Sequence, residues 1–315
     1  MRTPILIRFL SKKISGKKNK MIVVKLQGGL GNQMFQYAIA SILALENKSK
    51  LKVDNLFFEN KEKSIGFTPR QFELSVFNNK YLVATQKEIK AFTNLSKFNQ
   101  VRHNYGLNYP KVFVETYLGY HNTVLQLKSP IYLDGYFQSY HYFEGYESFV
   151  KDLFSFSTMN LDEKNKKILT EINNSETVSV HIRRGDYVND KLTQQFHGNC
   201  SKEYYLEAIH RMEQKSKGLT YVFFSDDIDW VKEEYANLLV KKLFVDENKG
   251  SESWKDMFLM TYCSHNIIAN SSFSWWGAWL NSFSEKTVIA PKKWFLNTDA
   301  NEKTKDLIPE SWLRI

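Results

Sequence analysis

From residue 21 onward, short apolar runs alternate with longer amphipathic stretches, the pattern of strands and helices taken in turn. MIVVKL (21–26) is β-branched and predicts a buried strand, and GGLGNQ (28–33) predicts a tight turn after it. Residues 34–47 place Phe35, Ile39, Ile42 and Leu43 on one helical face, and LKVD (51–54) closes a βαβ unit. Residues 55–128 are rich in Asn, Lys and aromatics and show no sustained period. IYLDGYF (131–137) predicts a further strand with a helix behind it. The second half is plainer. Apolar runs at 177–182, 220–225, 242–246, 265–270 and 287–291 alternate with helical patterns at 201–215, 228–239, 253–263 and 273–283. That alternation predicts a parallel sheet covered on both faces.

The organisation expected is two facing Rossmann-like units, at 21–159 and 177–315, joined by a polar linker helix within 160–176. Residues 1–20 precede them as a basic extension. The composition agrees with a folded chain: 43% hydrophobic and 15% aromatic residues exclude disorder. No apolar run approaches ~18 residues, so no membrane-spanning helix is predicted. Two cysteines make no disulfide framework, which points to the cytoplasm.

Charge changes the picture at one place. The net +9 falls to +2 beyond residue 20, because the first 20 residues hold seven bases and no acid. A basic body for gripping nucleic acid is therefore excluded as an inference. The extension also carries Ile5, Leu6, Phe9 and Leu10 at helical spacing among its cations. Two readings stand: an amphipathic segment on the inner face of the cytoplasmic membrane, or a solvated basic arm.

Ligands of open α/β sheets bind outside the carboxyl ends of the strands, where this chain concentrates its polar clusters. HIRRGDY (181–187), SDD (225–227) and NSSFSWWGAW (270–279) all end predicted strands of the second half. Arg183 and Arg184 suit the forked recognition of phosphate oxygens, with His181 beside them; a surface ion pair is the bland reading. Ser271 and Ser272 read as helix caps, and the same helix end suits a phosphate. Asp226 and Asp227 read equally as caps or as ligand contacts. Trp275, Trp276 and Trp279 read first as helix–sheet packing and second as a sugar platform. In the first half, the glycines of GGLGN allow close approach of a ligand and place Asn32 at a helix N-terminus.

Two other chemistries compete. Gly29 and Gly31 with Asp54 beyond them partly match a dinucleotide fingerprint, which implies a nicotinamide oxidoreductase, although Met34 stands where a third glycine belongs. Asp227 and Asp229 form a D-x-D, used by metal-dependent sugar-nucleotide transferases. On a helix, however, those carboxylates point about 200° apart, a poor chelate.

Taken together, GGLGNQMFQYA, HIRRGDY, FFSDD and NSSFSWWGAWL, in this order, resemble the α-1,2-fucosyltransferase family over residues 21–295. The resemblance implies a GT-B-like fold of two Rossmann-like domains. It also implies GDP-L-fucose as donor and transfer with inversion, without a divalent metal, to O2 of a terminal galactose. A surface glycan such as a lipid-linked O-antigen repeat is the acceptor expected. By position, Arg183 matches the family's pyrophosphate-binding arginine, with His181 and Arg184 beside it and Ser271, Ser272 and Phe273 on the donor side. Asp256 stands 15 residues before Ser271, as the guanine-binding Asp of the wider superfamily does before its Ser-rich segment. Asn32 resembles an active-site residue near the fucose, Gln138 lines the acceptor side, and Asp186 is a candidate base that alternatively orients the arginines.

Overall fold

The computed structural model describes residues 20–59, 61, 69–94, 111–156, 161–184 and 198–315. Strand β1 (Met21–Lys25), helix α1 (Leu30–Asn47) and strand β2 (Lys50–Asp54) form the opening βαβ unit. Helix α2 (Gln86–Thr93), strands β3 (Lys111–Val114) and β4 (Ile131–Asp134), and helices α3 (Glu147–Leu153) and α4 (Glu163–Asn173) follow. The second half runs β5 (Thr177–Ile182), α5 (Lys202–Lys215), β6 (Thr220–Ser225), α6 (Ile228–Glu234), β7 (Lys241–Val245), α7 (Trp254–Tyr262), β8 (His265–Ile267), α8 (Ser272–Leu280), β9 (Val288–Ala290), α9 (Thr298–Glu302) and β10 (Leu313–Arg314).

Both sheets are wholly parallel, as the alternating pattern predicts. Every residue of β5 is buried, because helices cover both of its faces. The second sheet has the order β10-β9-β8-β5-β6-β7, a doubly wound arrangement in which the direction of winding reverses between β5 and β8. The first has the order β2-β1-β4-β3 and reverses between β1 and β4. The fold class is the α/β, GT-B-like one expected.

Local departures have visible causes. Helix α1 starts at Leu30 instead of residue 34, so Gly31, Asn32 and Gln33 belong to its first turn and not to a preceding loop. Helix α6 ends at Glu234, short of 239; Lys242 Nζ, from β7, donates to the carbonyls of Tyr235 and Ala236 at 2.9 and 2.7 Å and closes that end. The unpatterned region contains α2, started by a Thr85–Glu88 capping box, and the exposed edge strand β3. No helix among the described residues is long and apolar enough to cross a membrane.

One hydrophobic core runs through both sheets by way of α1 and α8. Phe35 on α1 meets Trp275 and Trp276 on α8 with ring centroids 4.6 and 4.9 Å apart. Both tryptophans are fully buried, and their N–H groups find carbonyls: Trp275 Nε1 donates to Leu307 O at 2.7 Å and Trp276 Nε1 to Gly31 O at 2.9 Å. This settles the packing reading for both rings, since a sugar platform needs an exposed face. Gly31 is pressed against the start of α8. A Cβ there would stand 2.5 Å from the Ser272 carbonyl carbon and 2.7 Å from the Phe273 nitrogen.

Backbone cannot yield as a side chain can, so Gly31→Ala forces the two helices apart at an overpacking cost of about 1–3 kcal/mol. Thermal unfolding should show the variant melting below the parent protein. Coincident melts would contradict the contact.

Candidate functional site

The register of the second sheet builds its arginine cluster. Ile182 pairs with Ser225, so the next residues of each strand face one another. Arg183 Nη1 meets Asp226 Oδ2 at 2.8 Å, and Arg184 Nε meets Asp227 Oδ2 at 3.1 Å. The Arg184 amide donates to Asp226 Oδ1 at 2.8 Å, and its guanidinium lies 3.6 Å from the Trp230 ring centroid. Asp226 and Asp227 therefore orient the arginines. Asp227 stands at the N-cap position of α6 without capping it, so the capping reading fails for its side chain. Asp229 is mostly exposed and 3.8 Å from Lys232, so the two carboxylates of the D-x-D serve different cations.

His181, the last inward residue of β5, is 5% exposed and packs against Phe273 with centroids 5.6 Å apart. Burial pushes its imidazole down to about 4; Asp226 opposes the shift and Arg183 adds to it. The ring is therefore neutral near pH 7. Its Nδ1 has no hydrogen-bond partner among the described residues.

Across the reversal point, buried Asn270 anchors the turn into α8 by donating to Gly198 O and Trp294 O, each at 3.1 Å. Ser271 caps the helix, accepting from the Phe273 amide at 3.3 Å. Ser272 does something else: its hydroxyl donates to Asn32 Oδ1 at 2.8 Å, across the two halves. Gln138 Nε2 donates to the same oxygen at 2.8 Å. With Oδ1 taken twice, Asn32 presents Nδ2 as its donor, held over Gly28, where a Cβ would come within 2.4 Å of it.

Gln138 is aimed by a strained turn. Phe137 is fully buried at φ +54, a left-handed conformation that a bulky residue adopts only when its surroundings impose it. Glu115 imposes it by accepting from the amides of Tyr136 (2.7 Å) and Phe137 (3.1 Å). The carboxyl ends of β1, β4, β5 and β8 and the segments that follow them thus meet at one place: Asn32 lies in the first turn of α1, Gln138 after β4, His181 and Arg183 at the end of β5, and Ser272 at the start of α8.

Asp256 lies on the same edge in the first turn of α7, which follows β7 two strands from β5, roughly 10 Å away. Its Oδ1 accepts from Asn248 Nδ2 at 2.8 Å, and Asn165 bonds Asn248 through both amides. Asp54 is otherwise engaged than a ribose ligand would be: Oδ2 accepts from Tyr132 OH at 2.6 Å and Oδ1 from the Leu56 amide at 3.0 Å. Asp186 and residues 1–19 lie outside the described residues.

Glu115, Trp230 and Glu73 escape sequence reasoning. Glu115 and Glu73 fall in the stretch without periodicity, and Trp230 reads as one more apolar position of a helix. The Glu73 carboxylate accepts from the Leu30 amide at the start of α1 and lies in the field of Arg183.

The chain matches glycosyl transferase family 11 over residues 2–315. It is 36% identical to the O-antigen biosynthesis glycosyltransferase WbnK of Escherichia coli, over 92% of this chain and 99% of that one. It is 35% identical to an Escherichia coli alpha-1,2-colitosyltransferase, over 94% and 99% of the two chains. A galactoside alpha-(1,2)-fucosyltransferase 1 of Alouatta belzebul is 30% identical over 33% of this chain and 28% of its own length.

Burial pushes the Asp256 carboxyl up to about 8, against the opposing Asn248 hydrogen bond. The fold therefore favours the protonated acid. Its contribution to stability is whole below the ordinary carboxylate range and is lost as pH rises through about 8. Asp256→Asn keeps the shape and does not ionise, so its stability relative to the parent should grow in denaturant melts as pH rises from the ordinary carboxylate range to about 8, and level off above that. A difference independent of pH would contradict this.

Proposed function

The chain belongs to glycosyl transferase family 11 and is a glycosyltransferase; we propose that it transfers L-fucose from GDP-L-fucose, with inversion, to O2 of a terminal galactose of an O-antigen-type glycan. The observation that carries the reading is Arg183, oriented by Asp226 at the reversal point of the second sheet, where β5 lies beside the strand that leads into α8. In-line attack on the anomeric carbon breaks its bond to the β-phosphate oxygen, and negative charge grows on the departing GDP. Arg183 is fixed beforehand by Asp226, so it meets that charge without reorganising. The free amides and dipole of α8 add to it. Arg184, held by Asp227 and Trp230, supports the same phosphates. Neutral His181 serves there as a hydrogen-bonding group and not as a cation.

Asp256 is the guanine contact in this reading. An ionised carboxylate accepts from both N1–H and the 2-amino group, whereas the acid offers one acceptor less. Nucleotide binding is then coupled to loss of the Asp256 proton below about pH 8. Calorimetry at pH 7 in buffers of different ionisation enthalpy should show proton release on GDP binding, absent in Asp256→Asn. Equal proton counts in the two proteins would remove Asp256 from the base pocket.

Asn32, between Ser272 and Gln138, stands where the sugar ring would be held, with Gln138 on the acceptor side. The two arginines supply the positive charge that a divalent cation supplies elsewhere, so the reaction proposed is independent of metal. A lipid-linked acceptor at the inner face of the cytoplasmic membrane is part of the proposal, with residues 1–20 as the contact. The nicotinamide reading is not favoured, because Asp54 is engaged within the fold.

The similarity to an alpha-1,2-colitosyltransferase supports a second donor. Colitose is fucose without its C3 hydroxyl, so the same phosphate chemistry serves both. Transfer assays with each GDP-sugar in EDTA decide between them. We expect fucose transfer to survive EDTA and Arg183→Lys to fail nearly as badly as Arg183→Ala, each losing about 3 kcal/mol of transition-state stabilisation, or roughly 100-fold in rate. A Lys variant with most of its activity would sink the Arg183 assignment. Preference for GDP-colitose would favour the second donor.

A further inference from the structure

Transfer to a hydroxyl needs a group that takes its proton, and we propose that Glu73 is that base. The inference rests on the transferase reading. Glu73 belongs to the first half, which faces the acceptor, and its segment is clamped to the start of α1. Gln33 Oε1 accepts from the Glu73 amide at 2.9 Å, while Gln33 Nε2 donates to Gly28 O at 2.9 Å and to Gln71 O at 2.8 Å. The carboxylate lies beside Gly29, where a Cβ would be 3.7 Å from Oε2, and it accepts from the Leu30 amide. Arg70, from its own segment, and Arg183, from the end of β5 in the other half, are the charges that act on it. It thus comes from the opposite half of the chain to the arginine assigned to the leaving phosphate, and lies within that arginine's field.

The other carboxylates described near this edge are committed elsewhere. Asp226 and Asp227 hold the arginines, Asp54 takes Tyr132 and Leu56, and Glu115 takes the Tyr136 and Phe137 amides. Asp134 is paired with Lys25 at 3.0 Å. Burial raises Glu73 above the ordinary carboxylate range, while Arg70, the Leu30 amide and Arg183 restrain the rise. A more basic carboxylate is the better proton acceptor near neutral pH.

The step balances. The acceptor O2–H proton passes to the Glu73 carboxylate as the O2–C1 bond forms. The C1–O bond to the β-phosphate breaks, GDP keeps the electron pair, and Glu73 returns its proton to water.

Glu73→Gln keeps size and hydrogen bonding but removes the base. We expect GDP affinity within about twofold of the parent and transfer slowed by roughly 10²–10⁴-fold. Glu73→Asp, a carboxylate set back by one methylene, should retain more activity than Glu73→Gln. At saturating GDP-sugar, where Asp256 has already released its proton, kcat of the parent should rise with pH through an apparent pKa above the usual carboxylate value, and that acid limb should vanish in Glu73→Gln. Transfer by Glu73→Gln within threefold of the parent, an unchanged acid limb, or lost GDP affinity would each overturn the assignment and leave the transferase reading intact. A parent protein that binds GDP but passes neither fucose nor colitose to an acceptor would overturn the transferase reading itself.

Discussion

The site depends on one contact: the first turn of α1 pressed against the first turn of α8, with Gly31 touching the Ser272–Phe273 backbone. Each parallel sheet contributes its own part of the cluster, at the point where its strand order reverses. The glycine lets the two helix ends approach closely enough for Asn32, Ser272 and Gln138 to share one hydrogen-bonded node. The Trp276 hydrogen bond to Gly31 O and the Phe35–Trp275–Trp276 cluster hold that approach from the core side. Stability and site geometry are therefore set by the same few atoms.

Around this contact the polar groups are fixed before any ligand arrives. Strand register aligns each arginine with its own carboxylate, Glu115 forces the Phe137 turn that aims Gln138, and burial keeps His181 neutral. Such preorganisation is what a transferase needs at a leaving phosphate, because groups already oriented need not reorganise as charge develops.

Much of this was legible in the sequence, and the exceptions have physical causes. The second-half strands were found because parallel strands buried on both faces read as unbroken apolar runs. Arg183, His181 and Ser271–Ser272 stand out in the sequence because polar clusters at such strand ends are unusual. The sequence pattern places the start of helix α1 four residues late because glycines are poor helix formers, and the tertiary contact with α8 makes Gly31 suitable there. Strand β3 leaves no periodic signal because it is an exposed edge, with one of its four residues even partly buried. Glu73 and Glu115 reach this edge through long-range placement that no local pattern records. Asp256 was legible only through family resemblance, since an Asp in the first turn of a helix looks like an ordinary dipole partner.

The central claim is that these converging loops form a guanine nucleotide site. Calorimetric titration of the purified chain with GDP and, separately, with NAD, both in EDTA, tests it most directly. The account predicts micromolar GDP binding and no heat with NAD. Binding of NAD without GDP would contradict it and point to a dinucleotide site at Gly29, Gly31 and Asp54.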